Sequence, residues 1–202
     1  MKNFINEKEE FIIDYLKDLE KHPQANRELQ ILFLEESIFN EIDKDPSLLT
    51  LTNEKGQNLG MICAIHGLKN VVLYCVKHKE AATQQDIEGY NIGMYACICG
   101  MALEAFKALD NNEASIQQNN SGLNIGMCAA MAKLEEVAIK ALKNNAASIQ
   151  QDNAGFNIGM HCKINGLKKA TEIAQKNKIA LKQKNVIGKS IKTIQDQNEN
   201  EF

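Results

Sequence analysis

The string Asn-Leu/Ile-Gly-Met occurs four times, beginning at Asn58, Asn91, Asn124 and Asn157, and each start lies 33 residues after the last. A glycine stands two residues ahead of every string, at Gly56, Gly89, Gly122 and Gly155, and an Asn or Asp stands three residues ahead of that glycine, at Asn53, Asp86, Asn119 and Asp152. A period of this length, held without insertion, is incompatible with an ordinary globular core. It specifies one supersecondary unit stacked on copies of itself, with a core continuous along the stack. The units are 53–85, 86–118, 119–151 and 152–184, and a truncated fifth start, "NVIGKS", extends the repeats to residue 188. A polar stretch, 189–202, reads as a tail.

Within each unit the repeated asparagine is placed to cap a helix, because its side-chain oxygen can accept the free N–H groups two or three residues on. A short helix is expected at about 58–66 in the first unit and at equivalent positions in the others. Gly67, Gly100 and Gly166 then allow a tight reversal, with Lys133 as the exception in the third unit. A second, longer helix is expected in "LKNVVLYCVKHK", "MALEAFKALDNN", "LEEVAIKALKNN" and "LKKATEIAQKN", each followed by a polar segment, in three units ending in a Gln-Gln pair, that leads to the next glycine turn. Residues 1–52 do not follow the unit. Apolar residues at helical spacing predict helices at 4–21 and 25–42, interrupted by His22-Pro23 and ended by Asp45-Pro46. They read as an N-terminal cap, which covers one end of a stack and solvates its own outer side.

A glycine turn, two short antiparallel helices and a 33-residue period resemble the ankyrin repeat. The family pattern D-x-x-G-x-T-P-L-H-x-A-A-x-x-G is similar to Asp86, Gly89, Asn91, Ile92, Gly93, Met94, Ala96, Cys97 and Gly100, and the resemblance covers about 53–184. It implies an all-α solenoid. The departures are consistent: Asn stands for Thr, Ile or Leu for Pro, Gly for Leu and Met for His. The Thr–His hydrogen bonding of the family is therefore absent, so Asn is expected to cap and Met, which adapts to irregular gaps, to fill the space beside Gly. Gly93 and Gly126, in place of a bulky residue, imply close helix approach. The tetratricopeptide alternative has a period of 34 and lacks the D-x-x-G turn.

The chemical motifs weigh toward structure. Cys63-x2-His66 and Cys75-x2-His78 carry zinc-ligand residue types, but the other units do not repeat them, and the slot of Cys63 holds Ala96, Ala129 and Cys162 elsewhere. The slot of Cys97 likewise holds Ala64, Ala130 and Lys163, so these are small-residue packing positions. His161 and Cys162 are adjacent and point about 100° apart on a helix, which disfavours a catalytic pair. No nucleophile elbow, zinc-protease helix or phosphate-binding loop is present. The expectation is no catalytic site, no metal and no cofactor. Six cysteines, behind an N-terminus too charged for a secretory signal, predict a reducing, cytoplasmic setting. No apolar run is long enough to span a membrane. Abundant Lys, Asn, Gln and Ile fit an AT-rich genome, and with the fold they suggest a bacterial protein delivered into a host cell.

What remains is surface. In the ankyrin family the position after the turn glycine and the outward positions of the first helix line a concave binding face. Here those sets are Gln57, Tyr90, Leu123 and Phe156; then Ile62, Tyr95, Cys128 and His161; then Ile65, Ile98, Met131 and Ile164. The third set, apolar in every unit, reads equally as core or as surface. Tyr90, Leu123, Phe156, Tyr95, His161 and His66 are the candidate protein-binding residues. The expected function is a non-catalytic, monomeric protein–protein interaction module, an adaptor, scaffold or inhibitor, with no specific nucleic acid. Residues 163–192 hold nine Lys and one acid, Glu172, and form either a solvated cap or a surface for anionic membrane or nucleic acid. An enzyme with an unfamiliar site is the third reading.

Overall fold

The computed structural model describes residues 24–194, with Glu10 and Asp14 as single positions before them. The helix expected at 4–21 falls, apart from those two positions, outside the described residues, as does 195–202.

The described chain opens with a helix, Gln24–Lys44, somewhat longer than the expected 25–42. Leu34, Ile38 and Ile42 recur every fourth residue, so one stripe is buried against the first repeat. Asp45 then caps a 3-10 turn, Pro46–Leu49, by accepting from the Ser47 N–H at 3.1 Å. Glu35, buried in the same helix, accepts from the backbone N–H and side-chain amide of Asn70 at 2.8 and 2.6 Å. It thereby supplies the cap that Lys69–Cys75 lacks in its own sequence.

Four repeats follow. Their first helices are Leu59–Ile65, Ile92–Ile98, Ile125–Met131 and Ile158–Ile164. Their second helices are Lys69–Cys75, Ala102–Ala108, Glu135–Leu142 and Lys168–Ala174. First helices pack on first helices and second on second along the array, and no β-strand occurs among the described residues. The architecture is an all-α solenoid. Among the described residues no helix is long and apolar enough to cross a membrane.

Each repeated asparagine caps its first helix and also joins three chain segments. Asn91 accepts from the Met94 N–H at 3.0 Å and donates to the Ala114 carbonyl and the Gln117 side chain at 3.0 and 2.9 Å. Asn58, Asn124 and Asn157 repeat this set. Gln117 passes the link backward, donating to the Thr83 carbonyl of the preceding repeat at 2.6 Å. Gln118 passes it forward, donating to the Gln151 carbonyl at 3.0 Å. All four asparagines are fully buried, so these bonds are made in a low-dielectric interior where an unmet partner is costly.

The second helix is shorter than the expected stretch, and the polar segment after it is itself partly helical. The second helix ends at Cys75, Ala108, Leu142 or Ala174, and a separate short helix follows: Lys79–Thr83, Asn112–Ile116, Asn145–Ile149 or the 3-10 turn Ala180–Lys182. The break has a local cause. Asn111, Asn144 and Asn177 turn their side-chain oxygens onto the N–H groups two and three residues ahead and start a new helix there. Asn144 and Asn177 also donate to Ser115 and Ser148 of the preceding repeat at 2.8 and 2.9 Å.

Packing along the stack depends on the glycine of each first helix. A Cβ on Gly93 would lie 2.5 Å from Ile125 Cδ1 and 2.8 Å from Ala108 Cβ, so the next repeat's isoleucine sits directly on the bare backbone. The methionines beside these glycines, Met61, Met94, Met127 and Met160, are completely buried. At the far end Ile191 takes the same place over Gly159, with its Cδ1 2.8 Å from where a Cβ would be. Ile191 and Ile194 are both buried, so the first part of the expected tail closes the core.

Candidate functional site

One face of the stack is built by the glycine turns and the first helices. The turns are closed by the residue that opens each unit. Asp86 Oδ1 accepts from the Glu88 and Tyr90 N–H groups at 3.0 and 2.8 Å, and Asp152 does the same for Ala154 and Phe156 at 2.9 and 2.8 Å. Asn53 and Asn119 serve identically in the other two units.

Where the opening residue is Asp, its second oxygen needs a donor, and the first helix provides one nine residues on. The Tyr95 hydroxyl donates to Asp86 Oδ2 at 2.7 Å, and His161 Nε2 lies 2.8 Å from Asp152 Oδ2. Where the opening residue is Asn, Ile62 or Cys128 stands at that place. The Tyr95 hydroxyl also accepts from Gln57 Nε2 at 2.7 Å, which ties the second repeat to the first. Burial, and then the hydrogen bond to Asp86, push the Tyr95 phenol up to about 12.

Tyr90, Leu123 and Phe156 lie half-buried above this layer and pack against the core. The Tyr90 ring is 5.6 Å from that of Tyr95, and the Phe156 ring 5.5 Å from that of His161. These residues are the floor of the face. Side chains that stand clear of it come from the set that read equally as core or surface. Ile65, Ile98 and Met131 are 45%, 58% and 50% exposed, each the last residue of its first helix, and Ile164 is half-buried. His66, half-buried, follows Ile65 at the helix end, where its N–H donates to the Ile62 carbonyl at 3.2 Å. The face thus has aromatic and aliphatic groups below and a stripe of exposed aliphatic groups along its edge.

The cysteines are elsewhere. Cys63, Cys75, Cys97, Cys128 and Cys162 are buried and unpaired, and burial pushes each thiol up, Cys75, Cys128 and Cys162 to about 12. Such thiols are held as thiols, the form that packs as a small hydrophobe. Cys99 is exposed. Of the four residues with zinc-like spacing, His78 is exposed and sets its ring tilted against that of Tyr74, 4.6 Å between centroids, while Cys63 and Cys75 are sealed in the core. Among the described residues no three or more His, Cys, Asp or Glu side chains converge as a metal site would require.

No protein-family model matches the chain, and no curated protein matches it. Solved structures do. One chain of the solved complex between the Bd0816 predatory endopeptidase from Bdellovibrio bacteriovorus and immunity protein Bd3460 aligns with a TM-score of 0.60 and 19% identity, over 76% of this chain and 81% of that one. The ankyrin repeat domain of Bcl-3, of the IkappaB protein family, aligns with a TM-score of 0.42 and 15% identity, over 82% of this chain and 89% of that one. The chain shares the fold of the first, and its own 33-residue unit of turn and paired helices makes that fold ankyrin-like.

Proposed function

We propose that the chain is a non-catalytic interaction module that holds a partner protein on the face formed by its turns and first helices, the concave face of the stack. One observation carries this reading: Ile65, Ile98 and Met131 keep large apolar side chains exposed at the same slot of successive repeats. Folding gains little from them there, whereas an interface gains the burial of each. Behind them, Tyr90, Leu123 and Phe156 form a floor that is already packed. Its position is set by Tyr95 and His161, so little order has to be lost on binding. One solved structure of like fold is a complex of an endopeptidase with an immunity protein, which favours an inhibitor or adaptor role for this chain. Six free cysteines suit a reducing, cytoplasmic setting.

The test is paired affinity capture with wild type and with an Ile98→Asp, Met131→Asp variant as bait, at low and high salt. Both side chains are exposed, so the variant keeps the fold, as circular dichroism checks. A partner held by wild type at both salt concentrations and lost by the variant supports the face. Equal capture by the two proteins rejects it.

A further inference from the structure

At the C-terminal end of the array the fifth glycine turn has no role in the face described above, yet it is as well built as the others. Asn185 Oδ1 accepts from the Ile187 and Lys189 N–H groups at 3.2 and 2.9 Å, and the Asn185 N–H donates to the Lys189 carbonyl at 2.9 Å. Gly188 takes φ +78°, and the Val186 N–H donates to the Ala154 carbonyl of the preceding turn at 3.0 Å. This fixed turn presents Val186 and Ile187 at its tip, 73% and 69% exposed, more than any other large hydrophobic among the described residues.

That exposure does not come from the end of the array. The equivalent tips, Glu54-Lys55, Ile87-Glu88, Asn120-Ser121 and Asn153-Ala154, are exposed too, although a further repeat or turn follows each. Tip residues therefore face solvent wherever they stand, and at the other four tips at least one is charged or polar, or both are small and polar. Only the fifth carries two aliphatic side chains side by side.

Among the described residues the charged side chains that flank the tip in sequence are of one sign. Lys182, Lys184, Lys189 and Lys192 flank it in sequence, and all four are exposed. Among the described residues none of the four makes an ion pair, whereas Lys44, Lys79, Lys107 and Lys140 pair with Glu41, Glu113, Asp110 and Asp110. Glu172 is the one acid between 163 and 194.

We infer that the fifth turn is an anchor for an anionic lipid surface, with Val186 and Ile187 entering between headgroups and the four lysines meeting the negative charge above them. An apolar tip with a cationic collar matches the layered chemistry of a bilayer interface, apolar beneath and anionic on top. Nucleic acid fits less well. The last repeat and turn contain no arginine, and an aliphatic tip offers no ring on which a base could stack. Two aliphatic side chains and four lysines make a weak and reversible anchor, suited to holding the module at a membrane while its other face is occupied.

The experiment uses the full chain and phosphatidylcholine vesicles with and without roughly a third phosphatidylserine, the range in which each surface lysine is worth about a factor of five. The chain has no tryptophan, so Ile187→Trp places a single reporter at the tip. Wild type should sediment with the phosphatidylserine vesicles only, and less as salt rises. Lys184→Gln with Lys189→Gln should weaken partitioning by about 30-fold, and Val186→Ser with Ile187→Ser by tenfold or so. The tryptophan emission should shift to the blue on binding. Absence of sedimentation, sedimentation unchanged by Val186→Ser with Ile187→Ser, an unshifted emission in the bound state, or tighter binding to a single-stranded oligonucleotide than to the vesicles would each overturn the assignment.

Discussion

Gly126→Ala should destabilise the protein, against the usual benefit of alanine in a helix. Alanine is favoured over glycine by about 1 kcal/mol in a helix interior. A Cβ on Gly126 would however lie 2.5 Å from Ile158 Cδ1 and 2.6 Å from Ala141 Cβ, far inside carbon–carbon contact. Ile158 Cδ1 is the end of a flexible side chain, but that side chain is wholly buried and has little room to turn. Ala141 Cβ is fixed to its backbone and yields only if the helix Glu135–Leu142 moves. An added methyl costs about 1–3 kcal/mol in a packed core, and here, where both neighbours must give, about 3 kcal/mol, leaving a net loss of about 2 kcal/mol. Urea unfolding followed by circular dichroism reads this directly, and the melting temperature should fall by several degrees. Ile158→Val removes one of the two clashing atoms, so in the double variant the two losses should add to less than their sum. A Gly126→Ala protein as stable as wild type would refute the close approach and the reason given for glycine in all four first helices.

Asn124→Ala should cost about 2–4 kcal/mol, since it strands the Met127 N–H, the Ala147 carbonyl and the Gln150 side chain in a buried site; a loss under 1 kcal/mol in urea unfolding would mean water replaces the side chain. Lys133 takes φ +58° where three other units have glycine, so Lys133→Gly should add about 0.5–1 kcal/mol, and a lower melting temperature would show that the lysine is not strained there. Tyr95 is raised in the folded state above the ordinary tyrosine value. Its hydrogen bond to Asp86 therefore contributes fully below about pH 10, and the contribution is lost as pH rises through about 12. Phenolate absorbance of wild type minus that of Tyr95→Phe should accordingly show a midpoint near 12, and a midpoint near 10 would contradict the buried pairing.

Local chemistry was the legible part. The cap role of Asn91 could be read because the cap and the N–H it accepts lie three residues apart, and the glycine turns because positive φ leaves few residue choices. The two bonds that Asn91 donates were not legible, because their acceptors lie 23 and 26 residues away and only the fold brings them close. The break after the second helix had a signal in Asn111 and Asn144, obscured in the first repeat because His78 stands there without a side-chain cap bond. At the candidate site, Ile98 could not be sorted from core because an exposed stripe and a buried stripe repeat with the same period. Tyr90 and Phe156 differ in kind between repeats, which marks surface, yet they come out half-buried because their rings lean on Tyr95 and His161. The pairing of Asp with a donor nine residues on, present in two units and absent in two, was visible in the sequence and explains why those two rings sit where they do.

The most direct test of the binding face is position-specific photo-cross-linking. A photoreactive amino acid placed in turn at Ile98, Met131, Lys107 and Lys143 samples the exposed edge of the face and the outer helices of the same two repeats. The account predicts one discrete cross-linked species from positions 98 and 131, abolished by an excess of unlabelled wild type and not by an excess of the Ile98→Asp, Met131→Asp variant. Equal yields from all four positions, or a discrete species from 107 and 143 alone, would contradict it.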